Sequence, residues 1–190
     1  VQLRNITSGR DPAVGEGAKS CKILISAMES KRLRSIDISS NMLGASAGKV
    51  WGPLLNAHPE VEALLLEAEH KFRHGYKADA CNDLLENFSP TNLRKLIVST
   101  HAEADDAGAI AFASILAKAP SMEYFCYRSN ACGTPGGVQI SEALESCSSN
   151  LTYLDLSDNY FRVEAGIALG KAVSRMNSLK TLKADDMGLE

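Results

Sequence analysis

One pattern recurs along this chain, and a chain that repeats itself at a fixed interval has few ways to fold. Under the template L-x-x-L-x-L-x-x-N-x-L, Leu33-Arg-Ser-Ile36-Asp-Ile38-Ser-Ser-Asn41-Met-Leu43 fits at every position, as does Leu151-Thr-Tyr-Leu154-Asp-Leu156-Ser-Asp-Asn159-Tyr-Phe161. Met122, Phe125, Tyr127, Asn130 and Cys132 fit with substitutions. Val61, Leu64 and Leu66 fit the first part only, and so do Leu93, Leu96 and Val98. Leu179, Leu182 and Leu189 open a last copy. The copies start at 33, 61, 93, 122, 151 and 179, which spaces them by 28, 32, 29, 29 and 28 residues.

Copies of this length belong to the long class of leucine-rich repeat, in which a strand is followed by a full helix. The second half of each copy agrees. Ala47, Val50, Trp51, Leu54 and Leu55 recur at helical spacing, as do Ile110, Phe112, Ile115 and Leu116. Ile140, Ala143 and Leu144 follow, then Ala165, Leu169, Ala172 and Val173. Asp105-Asp106 and Glu164 place carboxylates where a helix start carries positive dipole charge. One strand–helix unit cannot bury its own apolar face, so stacked neighbours must make the core. The expected fold is therefore α/β: a leucine-rich-repeat solenoid, a crescent with parallel strands on the concave face and helices on the convex face. Residues 1–190 read as one such domain of about six repeats, with Val1-Gln-Leu3 as the strand of an earlier copy. Solenoids carry polar caps, so further copies are expected, at least beyond the C-terminal end.

The template asparagine is expected to bond backbone groups of adjacent turns as a ladder. Its column reads Asn41, Glu69, His101, Asn130, Asn159, Met187. Two adjacent copies lose the amide, at Glu69 and His101. The copy beginning at Val61 is also the long one, and its extra length falls in the basic-aromatic run Lys71-Phe-Arg-His-Gly-Tyr-Lys77. Loops beside a strand edge are common binding elements. The candidate partner-binding residues are accordingly Asn41, Glu69, His70, Lys71, Arg73 and His101, with Arg10 on the same rim.

Other chemistries fit poorly. A net charge of -3 argues against a nucleic-acid or membrane surface. No apolar run approaches the roughly 18 residues of a membrane span. Five cysteines without a C-x-x-C pair point to a reducing compartment rather than to disulfides or zinc. His70 and His74 stand four apart, but in an expected loop that spacing does not put two ligands on one face, so no metal is expected. No G-x-S-x-G elbow or Cys–His register marks a nucleophile. Gly133-Thr-Pro-Gly-Gly137 lacks the following G-K-[ST] of a phosphate loop and reads as a tight turn before a helix. No cofactor and no active site of the chain's own is expected.

Taken in order, several segments resemble the leucine-rich-repeat domain of Ran GTPase-activating proteins, the plant-like branch above all. Thr7-Ser-Gly-Arg10 resembles that family's T-G-R loop, and Ile38-Ser-Ser-Asn41-Met-Leu-Gly44 its L-S-D-N-x-x-G turn. Asp105-Asp-Ala-Gly-Ala-Ile-Ala111 resembles a helix start, and Gly136-Gly-Val-Gln-Ile-Ser-Glu-Ala-Leu-Glu-Ser-Cys147 a helix segment. Leu154-Asp-Leu-Ser-Asp-Asn-Tyr-Phe-Arg-Val-Glu-Ala-Gly166 is similar to its L-D-L-x-D-N-x-F-x-x-E-A-G. The resemblance implies a protein that binds Ran, the small GTPase of nuclear transport, in its GTP form along the rim of the crescent. It implies stimulation of GTP hydrolysis by helping Ran's own glutamine orient the attacking water, without an arginine finger. It also implies a supporting role for Arg10 and a place in the cytoplasm or at the nuclear envelope. The family's functional asparagine turn falls on Leu64-Leu-Leu66-Glu-Ala-Glu, so Ala68 and Glu69 stand where asparagines belong. The alternative reading is a catalytically inactive interaction scaffold on the same fold.

Overall fold

A computed structural model describes residues 1–4, 6, 16–41, 47–68, 77–101, 104–147 and 149–189. Helices and strands alternate. They are α1 (Glu16–Glu29), β1 (Ser35–Asp37), α2 (Ala47–Asn56), β2 (Ala63–Glu67), α3 (Ala78–Leu85), β3 (Lys95–Ser99) and α4 (Asp105–Leu116). After these come β4 (Tyr124–Arg128), α5 (Thr134–Leu144), β5 (Tyr153–Asp155), α6 (Arg162–Val173) and β6 (Thr181–Lys183). The six strands form one parallel sheet in sequence order, β1 to β6. Gln2 adds a parallel bridge to Asp37 beyond β1, where the earlier strand was expected.

Register follows the sequence template. Ile36, Leu64, Leu96, Phe125, Leu154 and Leu182 lie abreast across the sheet. The first five are fully buried, as are Ile38, Leu66, Val98, Tyr127 and Leu156 two residues on. A strand presents alternate residues to opposite faces, so both columns point into the helix layer. Leu182, on edge strand β6, is 45% exposed. The long copy keeps register too; its additional residues fall within the stretch 69–76, outside the described residues.

The helices bury Val50, Leu54, Leu84, Phe112, Ile140 and Leu169 against the sheet. Two details differ from the sequence reading. Ile110 does not join Phe112 in the core but is 46% exposed. Two residues is about 200° of helix, so the pair point to opposite sides. Gly136 and Gly137 are not a turn before the helix but lie in the first turns of α5, after Pro135. Their role is close approach. A Cβ on Gly136 would stand 2.7 Å from Ala109 Cβ, and one on Gly137 2.8 Å from Ala165 Cβ.

Candidate functional site

The face of the sheet away from the helices carries the residues between the buried columns. Its first row runs through Lys95, Tyr124, Tyr153 and Thr181 of β3 to β6. A parallel, in-register sheet brings such neighbours within ring-contact distance. Tyr124 and Tyr153 stack with centroids 4.0 Å apart and planes at 2°. Face-to-face rings repel through their quadrupoles, and cations on the outer faces offset this. Lys95 Nζ stands 4.8 Å from the Tyr124 centroid, and Lys183 Nζ stands 5.6 Å from that of Tyr153. Lysine, two tyrosines and lysine therefore form one sandwich across four strands. Burial pushes both phenols upward, and Tyr124 is pushed further by its bond to Tyr153.

The second row carries two buried aspartates at equivalent positions. Asp37 Oδ1 accepts from the Ser39 backbone N–H at 3.1 Å, and Arg4 Nε donates to Oδ2 at 2.6 Å. Burial raises this carboxyl, but the Ser39 and Arg4 bonds outweigh it and hold it below the usual range. Asp155 Oδ1 accepts from the Ser157 N–H at 3.1 Å, while Oδ2 takes a longer 3.3 Å bond from the Tyr153 hydroxyl. Arg128, whose place in its copy matches that of Arg4, turns to Asp158 instead, donating from Nε at 2.9 Å. Between them sits Cys126. Burial, helped by the Asp155 charge, pushes its thiol up to about 12, so it is protonated at neutral pH and is no nucleophile.

Of these residues, Arg4, Tyr124, Cys126, Arg128, Tyr153, Asp155 and Lys183 line a groove of about 620 Å3, together with Ser40, Ala68, Thr100 and Ser129 of the strand-to-helix turns. Ser40, Thr100 and Ser129 hold left-handed backbone, with φ of 57°, 68° and 57°. Each immediately precedes a ladder residue, and the β-branched Thr100 is the strained member.

The ladder is held by Asn41, His101, Asn130 and Asn159, and Met187, the last residue of its column, has no amide to extend it. Asn41 Nδ2 donates to the Leu3 carbonyl, Asn130 Nδ2 to Val98 and Asn159 Nδ2 to Tyr127. Their Oδ1 atoms accept backbone N–H groups of Ile6, His101 and Asn130 respectively. His101 takes the same place, with Nε2 2.7 Å from the Leu66 carbonyl. A carbonyl only accepts, so this is the Nε2–H tautomer. Burial lowers the His101 pKa to about 4 and keeps the ring neutral.

Two of the expected partner-binding residues, Asn41 and His101, are 4% and 2% exposed, and their side chains are engaged inside the turns. Ala68 lines the groove, and its N–H donates to the Ser99 carbonyl. Arg10, Glu69, His70, Lys71 and Arg73 lie outside the described residues, as does His74. Sequence reasoning did not single out Arg4, Arg128, the two tyrosines or their lysines. The signal was present in the x positions of the template, where Tyr124 and Tyr153 recur at the repeat spacing. Among the described residues no group of three or more His, Cys, Asp or Glu is placed to hold a metal ion, and no helix is long and apolar enough to cross a membrane. A scan against protein-family models finds no match to this chain, and a search of curated proteins finds no significant relative.

Proposed function

We propose that the chain is a leucine-rich-repeat solenoid of the ribonuclease-inhibitor type that works as a protein-binding module, with the strand face as the concave, partner-binding side. One observation carries the reading. The strand face holds a groove lined by Arg4, Arg128 and the stacked Tyr124 and Tyr153, with Lys183 beside the Tyr153 ring. Tyrosine and arginine dominate the energetics of protein interfaces because they bury large, rigid, amphipathic surfaces. Among the described residues lining the groove, the Cys126 thiol is held protonated by burial.

The partner implied by the sequence motifs is a Ran-type small GTPase in its GTP form, met in the cytoplasm or at the nuclear envelope. Two modes follow, a GTPase activator and a catalytically inactive scaffold. Ala68 favours the scaffold. It stands at the groove edge where an orienting asparagine is expected, and a methyl group cannot position a water.

The test is Ran·GTP titrated with the chain, read by binding and by single-turnover hydrolysis. Binding is expected, with Tyr153→Ala and Arg128→Ala each weakening it about tenfold or more. Acceleration on the order of 10³ would make the chain an activator and show that another residue replaces the asparagine. Binding without acceleration makes it a scaffold, and Ala68→Asn then tests whether activity can be restored. Neither binding nor acceleration would remove Ran from the reading.

A further inference from the structure

The helix layer carries a second surface that the strand face does not use. Ile110, Val138 and Ile167 occupy one position in α4, α5 and α6, each two residues before a fully or nearly buried side chain, Phe112, Ile140 or Leu169. That geometry turns Ile110 and Ile167 outward, where a helix on a polar surface ordinarily carries charge, while Val138 is half-buried against the core. Ile110 is 46% and Ile167 57% exposed, and Val163, one turn before Ile167, is 52% exposed. Val138, Val163 and Ile167 floor a groove of about 530 Å3 between α5 and α6.

The walls are acidic. Glu142 and Glu145 of the α5 side and Glu164 of α6 line the groove, and Lys171 is its one cation among the described residues. Glu145 is drawn to Arg175 at 2.9 Å, and Glu142 accepts from Gln139 at 3.1 Å. Neither Glu142 nor Glu164 has an ion pair among the described residues. An apolar floor between two helices with carboxylates on both banks is complementary to a third helix that is apolar on one face and cationic on its flanks.

We propose that the α5–α6 groove docks an amphipathic, lysine- or arginine-flanked α-helix of a partner protein. Val163 and Ile167 stand one turn apart and present a ridge for the partner's i, i+3, i+4 side chains to straddle. Glu142 and Glu164 set the charge and orientation of the incoming helix. The same carboxylates oppose an anionic lipid surface. This site is on the far side of the sheet from the proposed binding groove and does not depend on it.

The probe is a fluorescein-labelled helical peptide with leucines at i, i+3, i+4 and i+7 and lysines elsewhere, beside a counterpart with every lysine replaced by glutamate. Anisotropy is read on the whole chain near physiological salt. The lysine peptide is expected to bind, and the glutamate peptide to bind at least about tenfold more weakly. Ile167→Asp is expected to weaken the lysine peptide by about tenfold although it adds a negative charge, because the floor supplies the anchor. Glu142→Lys with Glu164→Lys is expected to weaken it similarly. All three positions face the outside, so circular dichroism should be unchanged. Ile167→Asp binding that is unchanged or tighter would reduce the effect to bulk charge attraction and overturn the proposal. So would partition of the chain onto phosphatidylserine vesicles. Self-association that Ile167→Asp abolishes would overturn it in favour of a second copy, whose α1 exposes Ile23 beside Lys22.

Discussion

An imidazole replaces an amide at position 101, and that exchange ties the fold to pH. His101 holds the Leu66 carbonyl only as a neutral Nε2–H donor inside a dry turn. Its folded pKa is about 4 against 6.5 for a free histidine. Between those values the unfolded chain binds the additional proton and the folded chain does not. Stability is therefore whole above pH 6.5 and falls as pH drops toward 4, by up to about 3 kcal/mol. His58 adds a share of the same sign, since burial lowers its pKa as well. Asp37 acts in a lower window: its depressed carboxyl pKa keeps its contribution intact above 3.8 and loses it below. Urea unfolding midpoints should thus fall between about pH 7 and about pH 4.5. His101→Asn, which restores the amide of the neighbouring turns, should flatten most of that slope. A slope unchanged in this variant would assign the proton to another group.

At the scale of elements, the spacing between helices is set by which residues lack a Cβ. Gly48 of α2 meets α3 so closely that an added Cβ would stand 2.2 Å from the Ala80 carbonyl oxygen and 2.6 Å from the Leu84 nitrogen. Backbone cannot give way as a side-chain tip can. Gly170 of α6 has nothing within 4 Å of the same position. Alanine favours helix over glycine by about 1 kcal/mol, so the two substitutions should differ in sign. Gly170→Ala should raise the thermal midpoint, and Gly48→Ala should lower it by the equivalent of about 1–3 kcal/mol. Equal shifts would mean that the α2–α3 contact relaxes freely. The strand columns, the sequence-order pairing implied by the repeat spacing, and the turn ladder were legible in the sequence, because a repeat aligned on itself is also a register. Ile110 was not placed correctly, because helical spacing admits more than one face and only packing chooses. The Tyr124–Tyr153 stack was not seen either. It arises from which x positions lie abreast, a relation between copies that reading each copy alone does not expose.

Across the described residues, substantial contact between elements runs between neighbours. Each strand pairs with the next, and each helix packs mainly on the next. Local damage should then spread by adjacency rather than through a common centre. Leu154 is fully buried in β5 between Phe125 and Leu182 of the flanking strands. Leu154→Ala removes apolar contacts worth about 2–5 kcal/mol. Hydrogen exchange should accelerate in β4, β5, β6 and the helices α5 and α6, and least in β1 and β2. Leu64→Ala should give the mirror pattern, with β1, β2 and β3 loosened and β6 spared. Uniform acceleration over all six strands in both variants would show that the chain opens as one unit. Nearest-neighbour stacking would then describe its geometry but not its energetics.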